Sequence, residues 1–115
     1  MNFKNVIAAI MTADIETAKK WYTEMLGKEP DRNPMESLYE WDFPEGGVLQ
    51  LFEDKDRAGY SSITIFVEDI ESLKDQFTKK DIASGKTTEG DFVKTMIVHD
   101  PENNRIAFAQ SSQGR

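Results

Sequence analysis

The stretch Asp14-Ile15-Glu16-Thr17-Ala18-Lys19-Lys20-Trp21-Tyr22-Thr23-Glu24-Met25-Leu26-Gly27 carries every signal of a complete helix. Asp14 offers a carboxylate to the free amides of a helix start, and Glu16 is favourably placed in the first turn. Ile15, Ala18, Tyr22 and Leu26 recur at three- and four-residue spacing and form one apolar face, and Gly27 ends the run. Immediately upstream, Val6-Ile7-Ala8-Ala9-Ile10-Met11 is apolar over the length of a strand. Downstream, Pro30 and Pro34 predict a loop. Leu38-Tyr39-Glu40-Trp41-Asp42 then alternates as a half-buried strand does, Phe43-Pro44-Glu45-Gly46-Gly47 supplies a turn, and residues 48–53 read as the returning strand.

The same order is written again. After the polar segment 54–59, the one natural linker, residues 62–67 read as a strand and Asp69 caps a helix carrying Ile70, Leu73 and Phe77 on one face. Residues 92–99 and 105–110 read as strands on either side of the turn Asp100-Pro101-Glu102-Asn103-Asn104. Asp14-Ile15-Glu16 overlays Asp69-Ile70-Glu71 at an offset of 55, and Pro44-Glu45-Gly46-Gly47 overlays Pro101-Glu102-Asn103-Asn104 at 57. Each half is too small to bury its own sheet face. The reading is therefore one domain over residues 1–115 built from two modules, about 1–54 and 60–110.

Composition narrows the function classes. With 115 residues and no cysteine, the chain can build a core but neither a disulfide scaffold nor a cysteine nucleophile. Fourteen Lys plus Arg against 21 Asp plus Glu leave a formal charge of −7, which repels phosphate backbones, and no basic cluster exceeds the pairs Lys19-Lys20 and Lys79-Lys80. No apolar run approaches the roughly 18 residues of a membrane span, and no small-residue cleavage site follows the first apolar run. The expectation is a cytoplasmic protein with no nucleic-acid or membrane partner. No Ser-His-acid set has a supporting context and no Gly-rich phosphate loop is present, Gly46-Gly47 being a turn.

The helix at 14–27 resembles the first helix of the vicinal-oxygen-chelate superfamily, the glyoxalase/bleomycin-resistance group. That family favours an aspartate cap, an aromatic-Tyr pair in mid-helix and a closing Leu-Gly. Asp100-Pro101-Glu102-Asn103-Asn104 is similar to its Asp-Pro-acidic-Gly-Asn segment before the last strand. Asn103 replaces the usual glycine, which is tolerable because Asn also enters left-handed conformations. The resemblance implies an α+β fold of two βαβββ modules, with curled mixed sheets around a cleft and helices on the outer face. In metal-dependent relatives four strand positions point His, Glu or Gln ligands into that cleft. Carried over by spacing, those positions hold Ile7, Gln50, Ser62 and Ala107. Two of them cannot ligate a metal, Ser62 is a poor neutral ligand, and only Gln50 is of a usual type. No metal and no cofactor is expected, so the family's isomerase, lyase and dioxygenase chemistry loses its Lewis acid.

Strand alternation assigns Ile7, Ala9 and Met11, then Val48, Gln50 and Phe52, then Ser62, Thr64 and Phe66, and finally Arg105, Ala107 and Ala109 to the cleft side. From these and the aromatic Trp41, the candidate ligand contacts are Met11, Trp41, Gln50, Phe52, Ser62, Thr64, Phe66 and Arg105. A mostly apolar concavity with a few polar handles is the usual small-molecule site. Plainer roles stand beside each: Met11, Phe52 and Trp41 also suit a core, Thr64 a strand, and Arg105 an edge ion pair. The single histidine, His99, stands beside a turn and outside the matched positions, and Glu40 and Glu53 read equally well as solvated charges. Three functions remain open: a metal-free binder of a small, cationic or aromatic compound, an enzyme of the same fold with an atypical site, and a structural or regulatory interaction module whose cleft is filled. Apolar residues on the cleft side predict a homodimer that buries them.

Overall fold

A computed structural model describes residues 2–111 of the chain, which divides into two compact units, Met1–Ser61 and Ser62–Arg115. The first contains β1 (Ile7–Thr12), α1 (Ile15–Leu26), β2 (Arg32–Met35), β3 (Leu38–Asp42) and β4 (Val48–Glu53). The second repeats the order with β5 (Ser62–Phe66), α2 (Ile70–Lys79), β6 (Thr87–Glu89), β7 (Val93–His99) and β8 (Arg105–Ser111). Each unit has one four-stranded mixed sheet, ordered β1-β4-β3-β2 and β5-β8-β7-β6. The first pairing in each sheet is parallel and the other two are antiparallel. The architecture is α+β in two βαβββ modules.

The internal repeat extends to single hydrogen bonds. Asp14 and Asp69 cap their helices by accepting from the Thr17 and Ser72 amides. The next free amide, one step inside each cap, donates to the last-strand residue of its own sheet. Ile15 N–H donates to Glu53 at 3.0 Å, and Ile70 N–H to Gln110 at 2.7 Å. A helix start leaves such amides without intrahelical partners, so the two side chains complete what the aspartates begin. The turns also superpose in kind. Gly46 donates to the Phe43 carbonyl and Asn103 to the Asp100 carbonyl, both from left-handed backbone (φ 101° and 74°).

The cores follow the apolar faces. Ile15, Ala18, Tyr22 and Met25 are the buried residues of α1, with Leu26 half-buried, so the stripe closes on Met25 rather than Leu26. They cover Ile10, Leu49, Leu51 and Trp41. In the second unit Ile70 and Phe77 of α2 are fully buried, and Phe77 meets Phe108 edge-on at 5.4 Å.

Two expectations need correction. The loop expected around Pro30 and Pro34 contains β2, a wholly exposed edge strand that tolerates Pro34 because an edge need not donate every amide. Segment 54–59, expected as a linker, is folded into the first unit: Asp54 N–H donates to the Thr12 carbonyl at 2.9 Å, and Met11 N–H beyond it to Ser61 Oγ at 3.0 Å. Among the described residues no helix is long and apolar enough to cross a membrane.

Candidate functional site

Strand register decides which side chains share a face. Ala9 lies opposite Gln50, Met11 opposite Phe52, and Ile7 opposite Val48, and across β3 Gln50 lies opposite Glu40 and Val48 opposite Asp42. Directly opposed residues point to the same side of a sheet. These residues therefore form one face of the first sheet, and the other bears Ile10, Leu49, Leu51 and Trp41 under α1. The face turned away from the helix is called helix-free below.

Trp41 parts company with the other candidate contacts at this point. It is 1% exposed, its ring lies 6.4 Å from that of Tyr22, and its indole N–H donates to the Lys28 carbonyl at 2.9 Å. Its place is the helix-covered core, on the opposite face from Met11, Gln50 and Phe52.

A polar network crosses the helix-free face. Gln50 Nε2 donates to Glu40 Oε2 at 2.7 Å, and Arg32 Nε donates to Glu40 Oε1 at 2.9 Å. The far side of the same guanidinium grips Asp42 with both terminal nitrogens, at 2.8 and 2.6 Å. Asp31 accepts from the Asp42 amide at 2.7 Å and pairs with Lys28 at 2.9 Å. Donation from Gln50 and then Arg32 holds the Glu40 carboxyl below the ordinary carboxylate value, and Arg32 does the same for Asp42. For Asp31 the Asp42 amide is the main cause and Lys28 the second. All three stay ionised at neutral pH. Glu40 is the least exposed of the group at 13%, against 44% for Arg32 and 46% for Asp42.

The second sheet repeats the arrangement with other residues. Ser62 lies opposite Arg105, Thr64 opposite Ala107 and Phe66 opposite Ala109, and His99 also lies opposite Arg105. All share the helix-free face of that sheet, because Ile63, Ile106, Phe108 and Met96 occupy the side of α2. Arg105 donates to Ser62 Oγ at 3.2 Å, while Thr64 and His99 are exposed and Phe66 is 53% exposed. The candidates thus form two groups, Met11, Gln50 and Phe52 in one unit and Ser62, Thr64, Phe66 and Arg105 in the other.

The four positions that hold a metal in relatives lie on these helix-free faces, but their donors do not fit an ion. Ile7 and Ala107 have no donor atom, Gln50 is engaged with Glu40, and Ser62 accepts from Arg105. Among the described residues no three His, Cys, Asp or Glu side chains come together as a metal-holding group. Two hollows of about 410 and 420 Å³ indent the first unit. One is walled by Leu26, Lys28, Trp41, Asp42, Phe43 and Pro44, the other by Ile15, Tyr39, Asn33, Ser37 and three glutamates. Neither includes Met11, Gln50 or Phe52.

Residues 5–108 match the family model described as Glyoxalase/Bleomycin resistance protein/Dioxygenase superfamily. The chain belongs to this superfamily. A glyoxalase/bleomycin resistance protein from Catenulispora acidiphila DSM 44928 is 28% identical and superposes with a TM-score of 0.83 over 92% of this chain and 96% of its own. TnmS3, an antibiotic binding protein from Streptomyces sp. CB03234, is 18% identical, with a TM-score of 0.85 over 97% and 99% of the two chains. Oxidase ChaP-H2 is 12% identical, with a TM-score of 0.76 over 96% and 94%. The last two likenesses are of fold alone. No curated protein matches the sequence significantly.

Arg32, Glu40 and Asp42 are the polar residues that sequence reasoning missed or left undecided. The alternation of Glu40 and Asp42 around Trp41 was the available signal, since it puts the two carboxylates on one face. Arg32 had none, because its strand was hidden by the two prolines.

Proposed function

We propose that the protein is a metal-independent binder of a small organic molecule, acting in the cytoplasm as a homodimer. The observation that carries this reading is the helix-free face of the first sheet. There a fixed, ionised Glu40, with Gln50 and Arg32 as its partners, shares the sheet face with the apolar side chains Met11, Val48 and Phe52. Apolar surface with few, preorganised polar groups is the chemistry of small-molecule recognition. The family's four ligand positions, two without a donor atom and two engaged with Glu40 and Arg105, argue against a metal as the organiser of binding. The structural likeness to TnmS3 is compatible with sequestration of an antibiotic-like compound, and acidic net charge would favour a cationic one.

The neutral fluorophore N-phenyl-1-naphthylamine provides a test that presumes no natural ligand. Its emission is expected to rise on titration with protein, and Phe52→Ser is expected to weaken binding by about tenfold, the loss of one apolar side-chain contact of about 1.4 kcal/mol. An unchanged affinity in Phe52→Ser would move the site off this face.

Dimerisation is supported by apolar side chains left in water on the helix-free faces, Phe66 at 53% and Ile7 at 48% exposure. Burying the exposed half of each is worth on the order of 1 kcal/mol. Sedimentation equilibrium down to low micromolar concentration should give twice the 13.1 kDa chain mass. The chain mass alone throughout would refute the dimer.

A further inference from the structure

Two carboxylates on one face of β3, Glu40 and Asp42, already hold a planar cation. The Arg32 guanidinium meets Glu40 through Nε and Asp42 through both terminal nitrogens, three donors to three oxygens between 2.6 and 2.9 Å. Gln50 fixes the remaining Glu40 oxygen, so the carboxylate keeps its orientation whether or not the cation is there. This is the forked geometry by which guanidinium and amidinium groups are recognised.

The occupant's side chain sits at an exposed edge. Arg32 belongs to an edge strand whose four residues are all exposed; it pairs with β3 at Arg32↔Glu40 and Met35↔Leu38, with a register shift between them, and Asp31 N–H to the Glu40 carbonyl and Asn33 Nδ2 to the Leu38 carbonyl, both at 2.8 Å, hold the backbone on either side. Ion pairs this exposed contribute little to stability, because water and salt compete for both partners. Release of Arg32 leaves two ionised carboxylates on the same sheet face as Met11, Val48 and Phe52.

We propose that Glu40 and Asp42 form a subsite for a planar amidinium or guanidinium group of the ligand, with Arg32 as a built-in occupant that such a ligand displaces. The proposal rests on the reading that this helix-free face receives the ligand. It specifies that ligand as an aromatic or aliphatic cation with a flat, forked head, and it makes β2 an autoinhibitory edge.

Benzamidine and its neutral isostere benzamide test it, titrated into wild type, Arg32→Ala, Arg32→Gln and the double variant Arg32→Ala/Glu40→Gln, with binding followed by amide-resolved NMR. Arg32→Gln keeps a polar side chain on the edge strand in case the alanine variant loosens it. Benzamidine should shift the Glu40, Asp42 and Gln50 signals and bind both single variants at least about tenfold more tightly than wild type, the worth of one charge-assisted hydrogen bond. Benzamide should show no such gain, and the double variant should lose the preference for benzamidine. Equal binding of the two compounds on this face would overturn the subsite and leave small-molecule binding standing. A preference for benzamidine with no gain on removing Arg32 would also overturn it, since Arg32 would then be a clamp for the edge strand and nothing more. If neither compound perturbs Met11, Gln50 or Phe52 at 10 mM (an upper bound of about −2.7 kcal/mol on binding), the subsite and the choice of face both fall.

Discussion

Trp41→Ala lowers the stability of the fold by about 3–5 kcal/mol, the usual cost of emptying a large aromatic from a core. Three contributions sum in that figure. The indole is 1% exposed and fills the space between α1 and the sheet, its ring contact with Tyr22 disappears, and the Lys28 carbonyl loses its donor. Urea denaturation reads the loss as a shift of midpoint without a change in slope. Trp41→Phe should cost less, since most of the volume stays and only the hydrogen bond and part of the packing go. The fraction that remains folded should bind N-phenyl-1-naphthylamine as wild type does, because Trp41 faces away from Met11, Gln50 and Phe52. A stable Trp41→Ala that lost the fluorophore would return Trp41 to the ligand contacts.

Asp100→Ala has the second large effect, about 3 kcal/mol. The Asp100 carboxylate is 5% exposed and closes the second turn from within. One oxygen accepts from the amides of Glu102 and Asn104, each at 2.9 Å, and the other from the Asn104 side chain at 2.8 Å. Asn104 is itself fully buried. Alanine would strand these donors out of water, at about 1–3 kcal/mol for each that finds no substitute. Asp100→Asn keeps one accepting oxygen but sets an amide group against the Asn104 amide, and should fall between alanine and wild type. The first module has Phe43 in the corresponding place, and its turn closes by backbone hydrogen bonds between Phe43 and Gly46 and Gly47, with the Asn5 side-chain amide donating to the Gly46 carbonyl. A thermal melt of Asp100→Ala within a degree or two of wild type would show that water replaces the carboxylate at no cost.

Much of the fold was legible because its signals are local and duplicated. Each helix begins with Asp-Ile-Glu, and both turns carry a Pro-Glu pair, so each module confirms the other. The face assignments for β1, β4, β5 and β8 follow from strict alternation, and the pairing of Ala9 with Gln50 and of Thr64 with Ala107 agrees with them. Trp41 was harder. An aromatic in a strand reads the same from either side of the sheet, and its side is set by the register with Leu49, a contact eight residues away that alternation within β3 alone does not reveal. β2 and β6 were not legible from their residues, being four and three residues long, exposed and polar or proline-bearing. The Arg32 network was lost with β2. It depends on tertiary reach, not on spacing, and only the fold brings Arg32 beside Glu40 and Asp42.

Ligand binding on the helix-free face of the first sheet is proposed to need no metal ion. Titration of N-phenyl-1-naphthylamine into protein stripped with a chelator, and again after addition of zinc, manganese or ferrous ion, tests it most directly. The same affinity is expected in every case, and the same loss in Phe52→Ser. Binding that vanished on chelation and returned with one of these ions would contradict it, and would require a set of ligands that Ile7, Gln50, Ser62 and Ala107 do not provide.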